Sequence, residues 1–189
     1  SSFEADAKPL YGIINNAGIG SSSIGLEPTL QVNTWGIHRV CEAFVPLLEA
    51  SGRIVNVTSA AGPNFVEAAD DVTRTMLTDP DVQWDAVEEY MNRCISESKD
   101  SASTTSGLGN AYGLSKACAN ALTLILAREN PRLTINACTP GFIETDMTRP
   151  FAESQGKSAS EMGMKTPEQG SFASCLLYTS DAADEERGV

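Results

Sequence analysis

Tyr112 and Lys116 stand four residues apart at the head of an apolar run, Ala117 to Ala127. On a helix, residues at i and i+4 share one face, so a phenol and an ammonium would point the same way. A free tyrosine ionises only near pH ~10, but a fixed positive neighbour favours the phenolate and draws that value down. Such a pair is a candidate proton donor for chemistry at a carbonyl or an alcohol. The same spacing also arises on solvated helix faces, so the elements that would position the pair decide between the two readings.

Those elements alternate. Leu10 to Ile14 is a short apolar run ending in Asn15-Asn16-Ala17-Gly18, which predicts a buried strand running into a tight turn of small residues. Gly18-Ile19-Gly20 begins like a dinucleotide fingerprint, but the third glycine and the strand–turn–helix context are missing, and it is rejected. Thr29 to Leu48 carries apolar residues at helical spacing and predicts one helix, with Asn33 and the single histidine, His38, upon it. A lone histidine supports neither a metal centre nor a triad, so His38 is read as a packing residue. Arg53 to Thr58 is a β-branched strand, followed by Ser59 and small residues, where open parallel sheets place their sites.

From Asn64 to Asp100 the pattern predicts two helices. One is capped by Asn64 with Glu67, with Phe65, Ala69, Val72 and Met76 on one face. The other starts at Asp79-Pro80 and carries a stripe of Trp84, Val87, Met91 and Ile95. Ser101 to Gly109 reads as a loop. Ala111 to Glu129 is the helix bearing Tyr112 and Lys116, Arg132 to Cys138 a third strand, Thr148 to Lys165 a polar loop, and Thr166 the cap of a last helix. This succession predicts an α/β fold, a parallel sheet with helices on its faces.

Composition narrows the class. The 189 residues suffice for one domain, and 41% hydrophobic and 20% charged residues are ordinary for a globular protein. A net charge of −12 argues against nucleic-acid binding. No apolar run in this sequence is long enough to span a bilayer, and no secretory leader is expected. Five cysteines without Cys-x-x-Cys spacing predict buried free thiols in a reducing compartment, hence a cytoplasmic protein, and no metal is expected.

Taken together, Asn15-Asn16-Ala17-Gly18, Asn33, Ser59 after Val-Asn-Val-Thr, Tyr112-x-x-x-Lys116, and Pro140-Gly141 leading into Thr145-Asp146-Met147 occur in one order. They resemble the short-chain dehydrogenase/reductase family, over almost all of Leu10 to Ser174. The resemblance implies a Rossmann-like doubly wound parallel sheet and an enzyme that reduces a carbonyl to an alcohol, or the reverse, with a nicotinamide cofactor. It makes Tyr112 the proton donor and Lys116 the group that lowers its pKa and binds the nicotinamide ribose. Ser59 would hydrogen-bond the substrate oxygen, and Asn33 would hold a water of a proton relay. Asn15, Asn16, Ala17 and Gly18 would lie along the cofactor, with Pro140, Gly141, Ile143 and Thr145 beside the nicotinamide. The logic fits the chemistry: hydride arriving at carbon leaves charge on oxygen, which calls for a hydroxyl donor and a proton source.

The helical insertion at 64–100 is similar to that of the carbonyl-reductase-like branch. It implies NADP(H) rather than NAD(H), a monomer, and a pocket lined by the insertion and the loop Thr148 to Lys165. Ketoacyl or hydroxysteroid-type dehydrogenases of the same fold stay open, as does a non-catalytic dinucleotide-binding scaffold or sensor. The family's N-terminal glycine-rich motif, which carries the NAD/NADP determinant, has no match before Leu10, and the chain does not open on Met. The expectation is a fragment, incomplete at both ends of its sheet and inactive by itself. Cys175 to Val189 resembles a translated transposase end and adapter, so 1–174 is expected to be native and 175–189 a sequencing-library scar.

Overall fold

The computed structural model describes residues 9–20, 24–100 and 111–179. The loop expected at Ser101 to Gly109 and most of the acidic C-terminal stretch lie outside the described residues.

Among the described residues three strands make the sheet: β1 (Leu10–Asn15), β2 (Leu48–Val57) and β3 (Thr134–Cys138), all parallel, in the order β1-β2-β3. Their β-branched and apolar side chains suit a surface covered on both faces. The register runs Ile13 to Ile54 to Ile135 and Asn15 to Asn56 to Ala137, which brings the three strand ends level. β2 begins earlier than the sequence suggests, because Leu48 pairs with Leu10 before an irregularity resets the pairing at Gly12 and Arg53. Arg132 steadies this corner by donating to the carbonyls of Val45, Leu48 and Glu49.

Helices cover both faces, as a doubly wound sheet requires. On one side α2 (Trp35–Phe44) and α6 (Ala111–Glu129) pack with β2 through Ile37, Cys41, Ile54, Leu122 and Leu126. On the other, α8 (Pro167–Thr179) brings the Tyr178 ring over Gly12, where a Cβ would lie 2.6 Å from that ring. Thr166 and Gln169 cap α8 reciprocally, as their spacing predicts. α8 runs on through Thr179, so Cys175 to Thr179 is helical and its Tyr178 also meets Tyr11 edge-on at 5.2 Å.

The single helix expected over 29–48 is two, α1 (Leu26–Asn33) and α2, broken at Thr34 (φ −121°, ψ −63°) and followed by a short 3₁₀ turn at Val45–Leu47. Thr34 leaves the helical register to donate its hydroxyl to the Ser115 carbonyl at 2.9 Å. The insertion holds three helices rather than two: α3 (Ala61–Ala68), α4 (Asp71–Thr78) and α5 (Trp84–Asp100). The capping box at Asn64 does not form. Ser59 accepts from the Ala61 amide and so starts α3 earlier, leaving Asn64 inside it. Asp70, not foreseen, caps α4 by accepting from the Thr73 amide at 2.9 Å. Val72 is consequently 76% exposed, not on a buried face. Pro80 sits in a turn before α5, because the Asp79 carboxylate takes the Asp81 amide. The stripe Val87, Met91, Ile95 is buried as expected. The loop at 148–165 contains a short helix, α7 (Arg149–Ser154).

The insertion packs on α6 through Phe65, Leu77, Val87, Met91 and Ile95 against Leu114, Cys118, Ala121 and Ile125. Gly62 makes the closest approach: a Cβ there would stand 2.9 Å from the Lys116 carbonyl carbon and 3.0 Å from the Ala117 nitrogen. His38 is a packing residue, stacked on Trp84 at 4.1 Å with its Nδ1 beside Glu42. All five cysteines are free; Cys41 and Cys118 are buried, while Cys175 is exposed and so departs from the expected burial.

Candidate active site

The site forms where the C-terminal ends of β1, β2 and β3 meet the first turns of α6, the position expected of an open parallel sheet. A cavity of about 1050 Å³ lies there. Ser59 and Tyr112 both line it, together with Gly18 and Gly141. Its remaining walls are largely apolar: Ile19, Gly20 and Ile24 on one side, Phe142, Met147 and Phe151 on the other. Among the described residues of the insertion none lines this cavity, unlike the expected pocket; their apolar faces are spent on the opposite side of α6.

The Lys116 Nζ lies 5.6 Å from the centroid of the Tyr112 ring, so the two side chains do share one face of α6. The ammonium donates to the Val57 carbonyl at the end of β2 at 2.9 Å. The lysine is only 4% exposed, and burial brings its pKa down to about 8. Tyr112 departs from the expectation: burial raises its pKa, and the Ser59 hydroxyl acts in the opposite direction. Desolvation outweighs the Ser59 hydrogen bond, and the same burial disfavours the protonated form of Lys116. At neutral pH the phenol is held protonated and the lysine is still largely charged.

Asn33 is fully buried, and its amide grips the turn after β1: Oδ1 accepts from the Ile19 amide and Nδ2 donates to the Ile19 carbonyl, both at 2.8 Å. Nδ2 also donates to the Ser115 hydroxyl at 3.0 Å. Both amide hydrogens are thus engaged, which leaves only a lone pair of Oδ1 for any further contact. Gly18 closes the gap between the two side chains, since a Cβ there would lie 3.3 Å from Asn33 Oδ1 and 3.5 Å from Lys116 Nζ.

The other expected cofactor residues divide. Asn16 and Ala17 are exposed on the turn. Asn15 is buried, and its side chain turns inward to donate to Asn56 Oδ1 at 2.8 Å; Asn56 in turn donates to Thr123 on α6. The Asn15 side chain therefore ties strand to strand rather than facing the cavity. Gly141 follows Pro140 with φ +87°, a conformation that favours glycine. The Ile143 carbonyl accepts from the Thr148 hydroxyl, which itself accepts from the Thr145 amide. The Ile143 side chain packs on Gly170, where a Cβ would stand 2.6 Å away.

Ser115 and Phe151 are residues that pattern reading passed over, and Met147 entered it only as the end of the Thr145-Asp146-Met147 motif. Ser115 could have been noticed as a polar residue amid a helix that is apolar on nearly every side; Met147 and Phe151 reach the cavity only through the fold of their loop. Gly18 and a left-handed Gly141 on the cavity wall, the exposed Asn16 and Ala17 just before Gly18, and the buried Lys116 ammonium behind Tyr112 suit the ribose and backbone of a dinucleotide. Among the described residues, no group of three His, Cys, Asp or Glu is placed to hold a metal ion. Among them also, no helix is long and apolar enough to cross a membrane.

No family model matches the chain. Carbonyl reductase [NADPH] 3 of Rattus norvegicus is 32% identical over 170 residues, which cover 82% of this chain and 60% of the relative. The (+)-neomenthol dehydrogenase of Arabidopsis thaliana is 30% identical over 160 residues, covering 80% of this chain and 54% of the relative. The structure of salutaridine reductase from Papaver somniferum superposes with a TM-score of 0.74 at 25% identity, over 92% of this chain and 69% of that one. The chain thus spans about 60% of the length of the carbonyl reductases it matches. With the parallel sheet, Ser59 and Tyr112 at one cavity and Lys116 beside the phenol, these likenesses assign it: the chain belongs to the short-chain dehydrogenase/reductase family, on its carbonyl-reductase-like side.

Proposed function

We propose that the full-length protein is an NADP(H)-dependent oxidoreductase that reduces a carbonyl to an alcohol, or runs the reverse. The observation that carries this reading is the convergence of Ser59 and Tyr112 on one cavity, with Lys116 beside the phenol. NADPH, when bound, supplies hydride to the carbonyl carbon. The chain's own groups serve the oxygen. Ser59 donates a hydrogen bond to it, and Tyr112, held protonated at neutrality by burial, gives up its phenolic proton as charge develops there. Lys116 sets a positive charge beside the phenol and offers donors to the cofactor ribose. Asn33 fixes the wall at Ile19, and the free lone pair of its Oδ1 is the place for a water of the relay toward Lys116.

Asn16, Ala17 and Gly18 take the cofactor along the turn after β1, with Asn15 supporting that turn from within; Pro140, Gly141, Ile143 and Thr145 take it on the far side. The walls formed by Ile24, Phe142, Met147 and Phe151 favour an uncharged substrate with an apolar body. The insertion, covering the outer face of α6, supports a monomer, and the free thiols support a cytoplasmic setting. The test is NADPH oxidation by the full-length protein against a panel of ketones. Bulky uncharged ketones should be turned over in preference to carboxylate-bearing ones. No oxidation with any carbonyl compound would end the enzymatic reading and leave a cofactor-binding scaffold.

A further inference from the structure

We propose that Ser115 is a positioning residue of this site: its hydroxyl locks the Asn33 amide, and through it the Ile19–Gly20 wall of the cavity, to the turn of α6 that carries Tyr112. Ser115 is fully buried. Its Oγ donates to the Tyr112 carbonyl at 2.8 Å and accepts from Asn33 Nδ2 at 3.0 Å. Its own carbonyl accepts from the Thr34 hydroxyl at 2.9 Å. One residue of α6 therefore holds both side chains at the α1–α2 break. That break has a purpose in this light, since it turns Asn33 and Thr34 together toward α6.

A serine in mid-helix that bonds back to a carbonyl one turn earlier is ordinary and does nothing more. Here the same oxygen is also an acceptor, and its donor is an amide whose other hydrogen and whose oxygen both grip Ile19 at 2.8 Å. Without the hydroxyl, one N–H of a fully buried amide loses its partner, and the amide must rotate or recruit water. Either response releases Ile19. The wall then shifts relative to the Tyr112 ring, beside which Gly20 stands so closely that a Cβ there would lie 2.7 Å from ring carbon Cδ2. The chain Tyr112–Ser115–Asn33–Ile19 thus sets the distance between the proton donor and the wall against which a substrate rests.

The catalytic arm of this proposal rests on the function proposed above; the structural arm does not. The experiment compares wild type, Ser115→Ala and Ser115→Thr in the full-length protein by amide hydrogen exchange and by steady-state kinetics. Ser115→Ala should speed exchange at the Ile19 amide by about tenfold while Leu122 and Ile125 keep their protection, and Ser115→Thr, which retains the hydroxyl, should restore it. In turnover, Ser115→Ala should lower kcat by about tenfold with NADPH affinity within about twofold of wild type. Unchanged exchange at Ile19, or a lower Tm with exchange accelerated along α6 and kcat intact, would overturn the proposal. If Ser115→Ala does not fold, Ser115→Cys, a similar shape with a weak acceptor, is read by the same criteria. If wild type shows no turnover, the functional reading fails and exchange at Ile19 alone decides this one.

Discussion

The two faces of α6 do opposite work with the same nineteen residues. One face presents Tyr112 to the cavity, Ser115 to the polar break at Asn33 and Thr34, and Lys116 to the end of β2 beside the phenol. The other presents Leu114, Cys118, Ala121 and Ile125 to the helical insertion. Burial acts on both. On the insertion face it is the source of stability, since apolar side chains leave water. On the site face it works against the folded state by disfavouring the charged form of Lys116, whose pKa falls to about 8. The site face accepts unfavourable desolvation in order to hold reactive groups, and the insertion face anchors the helix that carries them. Stability and chemistry should therefore separate when each face is altered alone.

After Tyr112, the largest effect belongs to Ser59. Ser59→Ala removes the hydroxyl proposed to bond the substrate oxygen and should lower kcat/KM by about a hundredfold, with Tm lowered by only about 2–4 °C through the lost bond to the Ala61 amide at the start of α3; turnover and thermal melts on one preparation check both. On the insertion side, Met91→Ala opens a cavity in a fully buried position and should cost about 2–5 kcal/mol in urea unfolding. The folded fraction should keep its kcat, because no described residue of the insertion lines the cavity.

Lys116→Met sharpens the contrast through pH. Lys116 has its folded pKa depressed to about 8 from an ordinary 10.5, so between those values the unfolded chain holds a proton that the folded one lacks. Lys116 therefore adds a rise of stability with pH across that window, on the order of a few kcal/mol. The difference between wild type and Lys116→Met in unfolding free energy should shift in favour of wild type from pH 8 to 10.5, and a flat difference would contradict the buried charge. The smallest effect is that of Asp70→Ala. Losing the cap of α4 should lower Tm by about 2–4 °C and leave turnover untouched.

Much of this arrangement was legible in the amino-acid order. The β-branched run before Ser59, the small residues after Ile14 and the i, i+4 spacing of Tyr112 and Lys116 are local signals, and each lands where it points. What could not be read is set by tertiary contacts. The helix over 29–48 breaks at Thr34, where Ser115, far along the chain, takes hydrogen bonds from both Asn33 and Thr34. Asn64 loses its cap because Ser59 starts the same helix sooner. Spacing places Lys116 beside Tyr112, but the burial that raises the Tyr112 pKa is set by the packing around it, which no spacing encodes.

The central claim is that the Tyr112 phenol delivers the proton while hydride reaches the carbonyl carbon. Its most direct test is transfer of label from 4-deuterated NADPH to the carbinol carbon of a ketone substrate, measured in wild-type protein and in Tyr112→Phe at equal cofactor occupancy. The account predicts label transfer in wild type and a rate at least about a hundredfold lower in Tyr112→Phe, with NADPH binding retained. Label transfer at the wild-type rate in Tyr112→Phe would contradict it.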